Sequence, residues 1–175
     1  MRKLLKGLVI LVVVTVAFIP IARYVLFPLP DIAARPSEPS IPASSETGLG
    51  RLTGQGARGH PGLSGVAPLA GGLDALASRL AIIDAAQASI DAQYYIWHDD
   101  TSGILLLDAL DRAAKRGVRV RLLLDDNGVP GLDPILATLN AQPNFHIRLF
   151  NPSTVRHPKM LRYAFDFMRM NRRMH

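Results

Sequence analysis

Residues 73–150 alternate between two hydrophobic periodicities, and this alternation restricts the possible fold more than any other feature of the sequence. Amphipathic helical spacing takes turns with short apolar or alternating runs that are typical of strands. The segments follow in the order helix, strand, helix, strand, helix, strand at 73–87, 89–97, 104–116, 118–124, 133–140 and 145–150. This αβαβαβ order predicts an α/β fold: right-handed crossovers and a mixed, mostly parallel sheet that is flanked by helices on both faces.

Capping and breaking residues support the predicted helix ends. Asp100 or Ser102 can cap the helix at 104–116, and Gly117 can stop it. Asp133 followed by Pro134 predicts a cap and a first helical position for the third helix. These residue types belong at helix termini for physical reasons, so they favour the α/β interpretation.

An uncharged run at residues 7–22 follows three early cations, Arg2, Lys3 and Lys6. We expect residues 1–30 to form a transmembrane signal anchor, with the positive end held in the cytoplasm and the bulk of the chain outside a bacterial inner membrane. A cleaved signal peptide and a buried soluble helix are the alternatives. The sequence around Ala22 is a poor cleavage site, which favours the anchor.

Residues 31–72 separate this segment from the α/β region. They hold nine of the 14 glycines, and Pro36, Pro39 and Pro42 suit an extended tether, so we predict a linker followed by a domain at 73–175. The chain has no cysteine. This composition excludes disulfides, cysteine metal sites and a cysteine nucleophile.

Acidic and aromatic residues stand at the predicted carboxyl ends of strands, where ligands bind in such sheets. Asp125-Asp126-Asn127 lacks the Asp-x-Asp of a phosphatase nucleophile loop, so loop hydrogen bonding is the favoured role. Asp99 and Asp100 suit helix capping. Residues 94–97 could line a ligand pocket, but alternate core packing is the favoured interpretation, with one face free to reach the cleft.

Histidines and basic residues crowd the end of the sequence. His157-Pro158-Lys159 has His-x-Lys spacing, but position 164 is Ala where a phosphodiesterase motif needs Asp, so we reject it. His98 and His146 have no partner at ligating spacing. The net charge is +6, and residues 148–175 carry seven cations against one acid. This basic cluster favours an anionic partner over a neutral one.

Three stretches together resemble the phospholipase D superfamily, specifically its bacterial cardiolipin synthase-like members. They are residues 92–103, 115–127 and 148–152, and a short segment at 171–175 follows them. A weaker match begins at 60–65. The resemblance implies that 73–175 is half of a phospholipase D-type lobe. It also implies that residues 171–175 lead into a His-x-Lys-x4-Asp motif, of which His175 is the histidine.

The resemblance implies a catalytic role for His175 and substrate binding by Asn171, Arg172 and Arg173. It implies phosphatidyl transfer or hydrolysis at phosphodiester bonds through a phosphohistidine, without a metal or an organic cofactor. The substrates would be anionic or zwitterionic phospholipids such as phosphatidylglycerol, phosphatidylethanolamine or cardiolipin, with nucleic acid not expected.

The motif lysine, its aspartate and a second motif do not occur in the 175 residues. We therefore expect a truncated N-terminal portion that is inactive without the missing C-terminal half. The alternative function is a non-catalytic, membrane-tethered module that binds anionic lipid or nucleic acid through its basic C-terminal segment. The sequence downstream of His175 would discriminate between the two.

Overall fold

A computed structural model describes residues 2–26, 28, 31–33, 37–153, 155, 163 and 165–166. These residues fall into two compact units, and the larger one is Glu38–Phe150. The other unit contains the described residues on either side of it. The larger unit contains the αβαβαβ order that the sequence predicted.

Helices and strands of the larger unit follow the predicted order with small shifts at their ends. Among the described residues the elements are α1 (Arg2–Leu26), α2 (Gly48–Gly59), α3 (Gly72–Ala85), β1 (Ser89–Tyr94), α4 (Thr101–Lys115), β2 (Arg119–Asp125), α5 (Asp133–Asn140) and β3 (Phe145–Phe150). A single 3-10 turn, Asp126–Gly128, follows β2.

The three strands form one parallel sheet in the order β1-β2-β3. Ser89 pairs with Arg119 at the start of β1, and Val120 pairs with Phe145 at the start of β3. The prediction of a mostly parallel sheet flanked by helices is therefore confirmed. Phe145 is fully buried, so the third strand is fixed to the core where it begins.

The core lies on one face of this sheet. Val120, Leu122 and Leu124 alternate along β2 and are almost completely buried with the apolar sides of α4 and α5. Arg119 and Arg121 occupy the opposite face and are partly buried. The expected second layer of helices is not found among the described residues. Two right-handed crossovers in the order β1-β2-β3 bring both connecting helices to the same side.

Helix α4 shows why the sequence forms helices at these positions. The Asp100 carboxylate accepts a hydrogen bond from the Gly103 N–H at 2.8 Å and one from the Ser102 hydroxyl at 2.7 Å. Of the two predicted caps, Asp100 therefore holds the cap position. Lys115 pairs with Asp111 at 2.6 Å one turn earlier, near the carboxyl end of the helix. The chain then leaves the helix at Gly117, whose φ of 93° favours glycine.

Two predicted details need correction. The strand predicted at 89–97 ends at Tyr94, because the backbone N–H of Trp97 bonds to the next loop instead of continuing the ladder. The cap predicted at Asp133 lies one residue earlier, at Leu132, and Asp133 occupies the first helical turn instead. A carboxylate there still faces the positive end of the helix dipole.

The segment predicted as a linker, residues 31–72, contains helix α2, which its composition did not predict. The Thr47 hydroxyl caps this helix by accepting a hydrogen bond from the Gly50 N–H at 3.1 Å. Glycines are weak helix formers, so the Thr47 cap offsets part of a poor intrinsic propensity.

Helix α1 has 25 residues, a mean hydropathy of 2.7 and largely exposed Leu, Val and Ile side chains. At about 1.5 Å per residue it is about 38 Å long, which exceeds the ~30 Å hydrocarbon core of a bilayer. It is longer than the uncharged run 7–22, since it also takes in the early cations. By length and composition it is a candidate membrane span, and a cleaved signal sequence would meet the same two criteria.

Candidate functional site at the carboxyl ends of β1 and β2

Two loops meet where β1 and β2 end, and this edge of the sheet is the candidate site in the larger unit. The Trp97 backbone N–H donates to the Gly128 carbonyl oxygen at 2.9 Å and so ties the β1–α4 loop to the β2–α5 loop. In α/β sheets, ligands bind at the carboxyl ends of the parallel strands, where the loops carry the binding groups. The hydrogen bond fixes the relative position of the two loops that carry them.

Trp97 is the anchor of this edge. Its side chain is only 4% exposed, and its indole N–H donates to the Gly103 carbonyl oxygen at 3.2 Å. Its ring meets Tyr94 edge-on, with 4.6 Å between ring centroids. This geometry is typical of stable aromatic pairs. Core packing is thus confirmed for Tyr94 and Trp97, but the predicted alternation is wrong: the strand ends at Tyr94, and Tyr95 and Ile96 are each 53% exposed.

Two glycines permit the close approach of these loops. A Cβ atom on Gly128 would lie 2.0 Å from the Tyr95 carbonyl oxygen, and one on Gly103 would lie 2.1 Å from the His98 carbonyl oxygen. Both obstacles are backbone atoms, which cannot move aside as a side chain can. Sequence reasoning missed both residues, because a glycine carries no chemical signal and its role depends on a neighbour from another element.

The acidic residues at this edge have structural contacts of the kind the sequence favoured. Asp125 and Asp126 are both only 2% exposed, and the Asp125 carboxylate accepts from the Asn127 N–H at 2.8 Å. The Gly103 N–H, with the Ser102 hydroxyl, lowers the pKa of the exposed Asp100 carboxyl below its ordinary value. Among the residues that the structure describes, no group of three His, Asp or Glu could hold a metal ion.

The predicted catalytic and substrate-binding residues His175, Asn171, Arg172 and Arg173 lie outside the described residues, as does the rejected pair His157 and Lys159. Their roles stay predictions. Of the remaining histidines, His98 is exposed in the β1–α4 loop and His146 is exposed on β3. The structure therefore describes the scaffold of the larger unit, and the candidate motif lies outside the described residues.

Comparisons with known proteins show which proteins this chain is similar to. Cardiolipin synthase C of Escherichia coli is 56% identical over 116 residues, which are 66% of this chain and 24% of that protein. Over these 116 residues the chain is homologous to a cardiolipin synthase. An uncharacterized Helicobacter pylori protein is 39% identical over 132 residues, 74% of this chain and 26% of its own length. The major cardiolipin synthase ClsA of Bacillus subtilis is 36% identical over 85 residues, 49% of this chain and 18% of its own.

The cardiolipin synthase-like resemblance drawn from the sequence is thus confirmed by homologues of that name. No family model matches the chain. The matched part of the chain spans about a quarter of the length of these three relatives, or less.

Proposed function

We propose that this chain supplies the first part of a phospholipase D-like phosphatidyltransferase of the cardiolipin synthase type. The observation that carries the proposal is the 56% identity over 116 residues to cardiolipin synthase C of E. coli. Support also comes from the αβαβαβ unit, which agrees with the half-lobe implied by the sequence resemblance. The substrates would be phospholipids such as phosphatidylglycerol, phosphatidylethanolamine or cardiolipin.

In the proposed reaction His175 is one of two catalytic imidazoles. One imidazole nitrogen attacks the phosphorus, the bond from phosphorus to the leaving alcohol oxygen breaks, and the other imidazole gives that oxygen a proton. The oxygen of a second lipid alcohol then attacks the phosphorus of the phosphohistidine, its proton passes to the imidazole that had acted as acid, and the phosphorus–nitrogen bond breaks to free the first imidazole. Water in place of the second alcohol would give hydrolysis. Asn171, Arg172 and Arg173 would bind the phosphate. The second His-x-Lys-x4-Asp motif would come from a further portion of the enzyme, which corresponds to the unmatched part of the relatives' sequences.

A chimera tests this function, because the E. coli enzyme supplies the second motif that the 175 residues do not contain. The segment of E. coli cardiolipin synthase C that matches this chain is replaced by the chain's own residues, including 171–175. We expect cardiolipin formation in vesicles that contain phosphatidylglycerol, and a loss of at least about 100-fold for His175→Ala, because a catalytic acid, base or nucleophile contributes at least that much.

His60→Ala is the matched control, since His60 is exposed beyond α2 and has no proposed role. Equal activity of the His175→Ala and His60→Ala chimeras would refute the role of His175. A chimera without activity that still binds anionic vesicles through its basic segment would favour the alternative, non-catalytic module.

We also propose that α1 anchors the chain in the bacterial inner membrane, with the N-terminus cytoplasmic and the larger unit periplasmic. Arg2, Lys3 and Lys6 before the apolar run support this orientation. A reporter that is active only in the periplasm, fused after Pro152, should be active and should sediment with membranes. An inactive reporter would reverse the orientation, and an active reporter in the soluble fraction would mean that the segment is cleaved.

A further inference from the structure

Helix α2 and the turn before it form a cleft of about 530 Å³ in the larger unit, here called the α2 cleft. Its walls are residues 43–45 of the turn and one side of α2 between Gly50 and Arg58. The volume falls within the range of about 300–1,000 Å³ that is usual for small-molecule sites. None of the lining residues belongs to the loops after β1 and β2, so the α2 cleft is separate from the candidate site described above.

The longest polar side chains in the α2 cleft share one face of the helix. Arg51, Gln55 and Arg58 follow one another at spacings of four and three residues, which places them in a row along that face. No acidic residue is among the described residues that line the cleft. Two positive charges therefore face the same space without a carboxylate, whereas Arg121 elsewhere in the unit pairs with Asp91.

Arg51 is held in place by the turn before the helix. Its Nη1 group donates to the backbone carbonyl oxygens of Ser45 at 3.3 Å and Glu46 at 3.2 Å. The backbone of Glu46 takes part, not its carboxylate, so these contacts fix the guanidinium without neutralising it. The Nε and Nη2 donors of Arg51 have no hydrogen-bond partner among the described residues. This arginine is thus positioned in advance and keeps donors for a ligand.

Arg58 reaches back over the preceding turn of α2, towards Gly54. A Cβ atom on Gly54 would lie 3.8 Å from Arg58 Nη1, so the glycine leaves open the space beside this guanidinium. Arg58 makes no hydrogen bond or ion pair with the described residues. Its Cα is seven residues from that of Arg51, or about 10.5 Å along the helix. Because no contact holds Arg58, it can close on a ligand that Arg51 has bound.

We propose that the α2 cleft binds a phosphate monoester, with Arg51 and Arg58 donating to the phosphate oxygens. A guanidinium group matches phosphate in both geometry and charge. A phosphate monoester carries a charge of about −1.5 to −2 at pH 7, which balances the two cations, whereas a phosphodiester carries a single charge. A lipid such as phosphatidic acid and a soluble molecule such as glycerol phosphate present the same group. The proposal is independent of the catalytic role of His175.

The test uses the full 175-residue chain in a non-ionic detergent and titrates it with glycerol phosphate, dihexanoylphosphatidic acid or dihexanoylphosphatidylglycerol. Backbone amide NMR signals of the glycines report where each probe binds. We expect the two monoesters to shift the signals of Gly50 and Gly54, which line the cleft, and to leave those of Gly117 and Gly131 unchanged. Phosphatidylglycerol, a diester, should bind more weakly than phosphatidic acid.

The probes also distinguish the two sources of phosphate. Tighter binding of phosphatidic acid than of glycerol phosphate supports a lipid ligand, and the reverse order supports a soluble one. Equal affinity for phosphatidic acid and phosphatidylglycerol would overturn the assignment to a monoester. A wild-type chain in which no probe shifts Gly50 or Gly54 would overturn the proposal as a whole.

A pair of glycine variants separates the cleft from the general charge of the helix. Gly54→Glu places a carboxylate in the cleft, one turn before Arg58, where it competes with phosphate. Gly56→Glu makes the same change of charge outside the cleft lining, where a Cβ would meet nothing within 4 Å. Glutamate is a better helix former than glycine, so neither change weakens α2.

Hydrogen bonds to charged groups are strong enough to change an affinity by about tenfold or more. We therefore expect phosphatidic acid to bind at least about tenfold more weakly to Gly54→Glu than to Gly56→Glu. Equal losses in the two variants would mean that only net charge matters, and would overturn the proposal.

Arg58→Gln is the second variant, with Arg79→Gln as its matched control. Arg58 has no contact with the described residues to lose, and Arg79 is exposed on α3 outside the cleft. We expect Arg58→Gln to weaken phosphatidic acid binding about tenfold. Arg79→Gln should change it by less than about twofold, because a distant exposed charge is screened by salt. Binding to Arg58→Gln that equals binding to Arg79→Gln would refute the role of Arg58 and with it the proposed site.

Discussion

Replacing Trp97 by Phe removes the indole N–H while keeping an aromatic ring against Tyr94. The lost hydrogen bond to the Gly103 carbonyl oxygen is worth about 1 kcal/mol. The smaller ring leaves about 40 Å³ unfilled, which at ~24 cal/mol per Å³ costs about 1 kcal/mol more. The site is buried, so neither loss is offset by water. We therefore expect Trp97→Phe to lower the free energy of unfolding by about 2 kcal/mol, and Trp97→Ala by about 3–5 kcal/mol.

Urea unfolding of the full chain in detergent, followed by far-ultraviolet circular dichroism, measures this difference. Tyr95→Phe is the control, because the Tyr95 side chain is 53% exposed and its loss of a hydroxyl should change the free energy by less than about 0.5 kcal/mol. The chain has one tryptophan, so the fluorescence of the wild type reports directly on this edge of the sheet. A Trp97→Phe value within about 0.5 kcal/mol of wild type would refute the anchoring role.

Three further predictions concern the same unit. Gly128→Ala should cost about 2 kcal/mol or more in urea unfolding, since its Cβ would lie 2.0 Å from the Tyr95 carbonyl oxygen. Asp91→Asn should cost about 0.5–1 kcal/mol at pH 7. The hydrogen bond from Arg121 lowers the Asp91 pKa, so this difference should shrink as pH falls below about 4 and through the folded-state pKa. A polypeptide of residues 73–150 should unfold at a lower urea concentration than 38–150, because it lacks residues 38–53, whose backbone groups bond to Arg119, Arg121 and Gln87.

Each of these has a control and a contradicting result. Gly56→Ala, where a Cβ would meet nothing within 4 Å, should not destabilise the chain, and an equal loss at both glycines would remove the close-approach argument. A difference between Asp91→Asn and wild type that stays constant from pH 7 to pH 3 would show that the ion pair does not contribute. Equal urea midpoints for 73–150 and 38–150 would show that residues 38–53 add no stability.

Local chemistry determined much of what the sequence predicted correctly. Strand β2 was found because a buried parallel strand forms a short apolar run, whereas β1 and β3 were found from their alternating pattern. The bounds of β3, Phe145–Phe150, match the prediction. The Asp100 cap and the stop at Gly117 were found because they depend on residues within one turn. The family was also identified from short stretches of sequence, and the identity to cardiolipin synthase C agrees with it.

Tertiary contacts decided what the sequence could not. The polar segment 38–53 looked like linker because its composition is rich in Gly, Ser and Pro, yet Arg119 and Gln87 hold it through distant backbone groups. Backbone carbonyls and N–H groups are identical at every position, so a sequence does not show which of them an arginine will reach. Gly128 likewise gained its importance from a carbonyl group on another loop. Periodicity and caps are local and can be read along the chain, whereas these contacts exist only once the chain has folded.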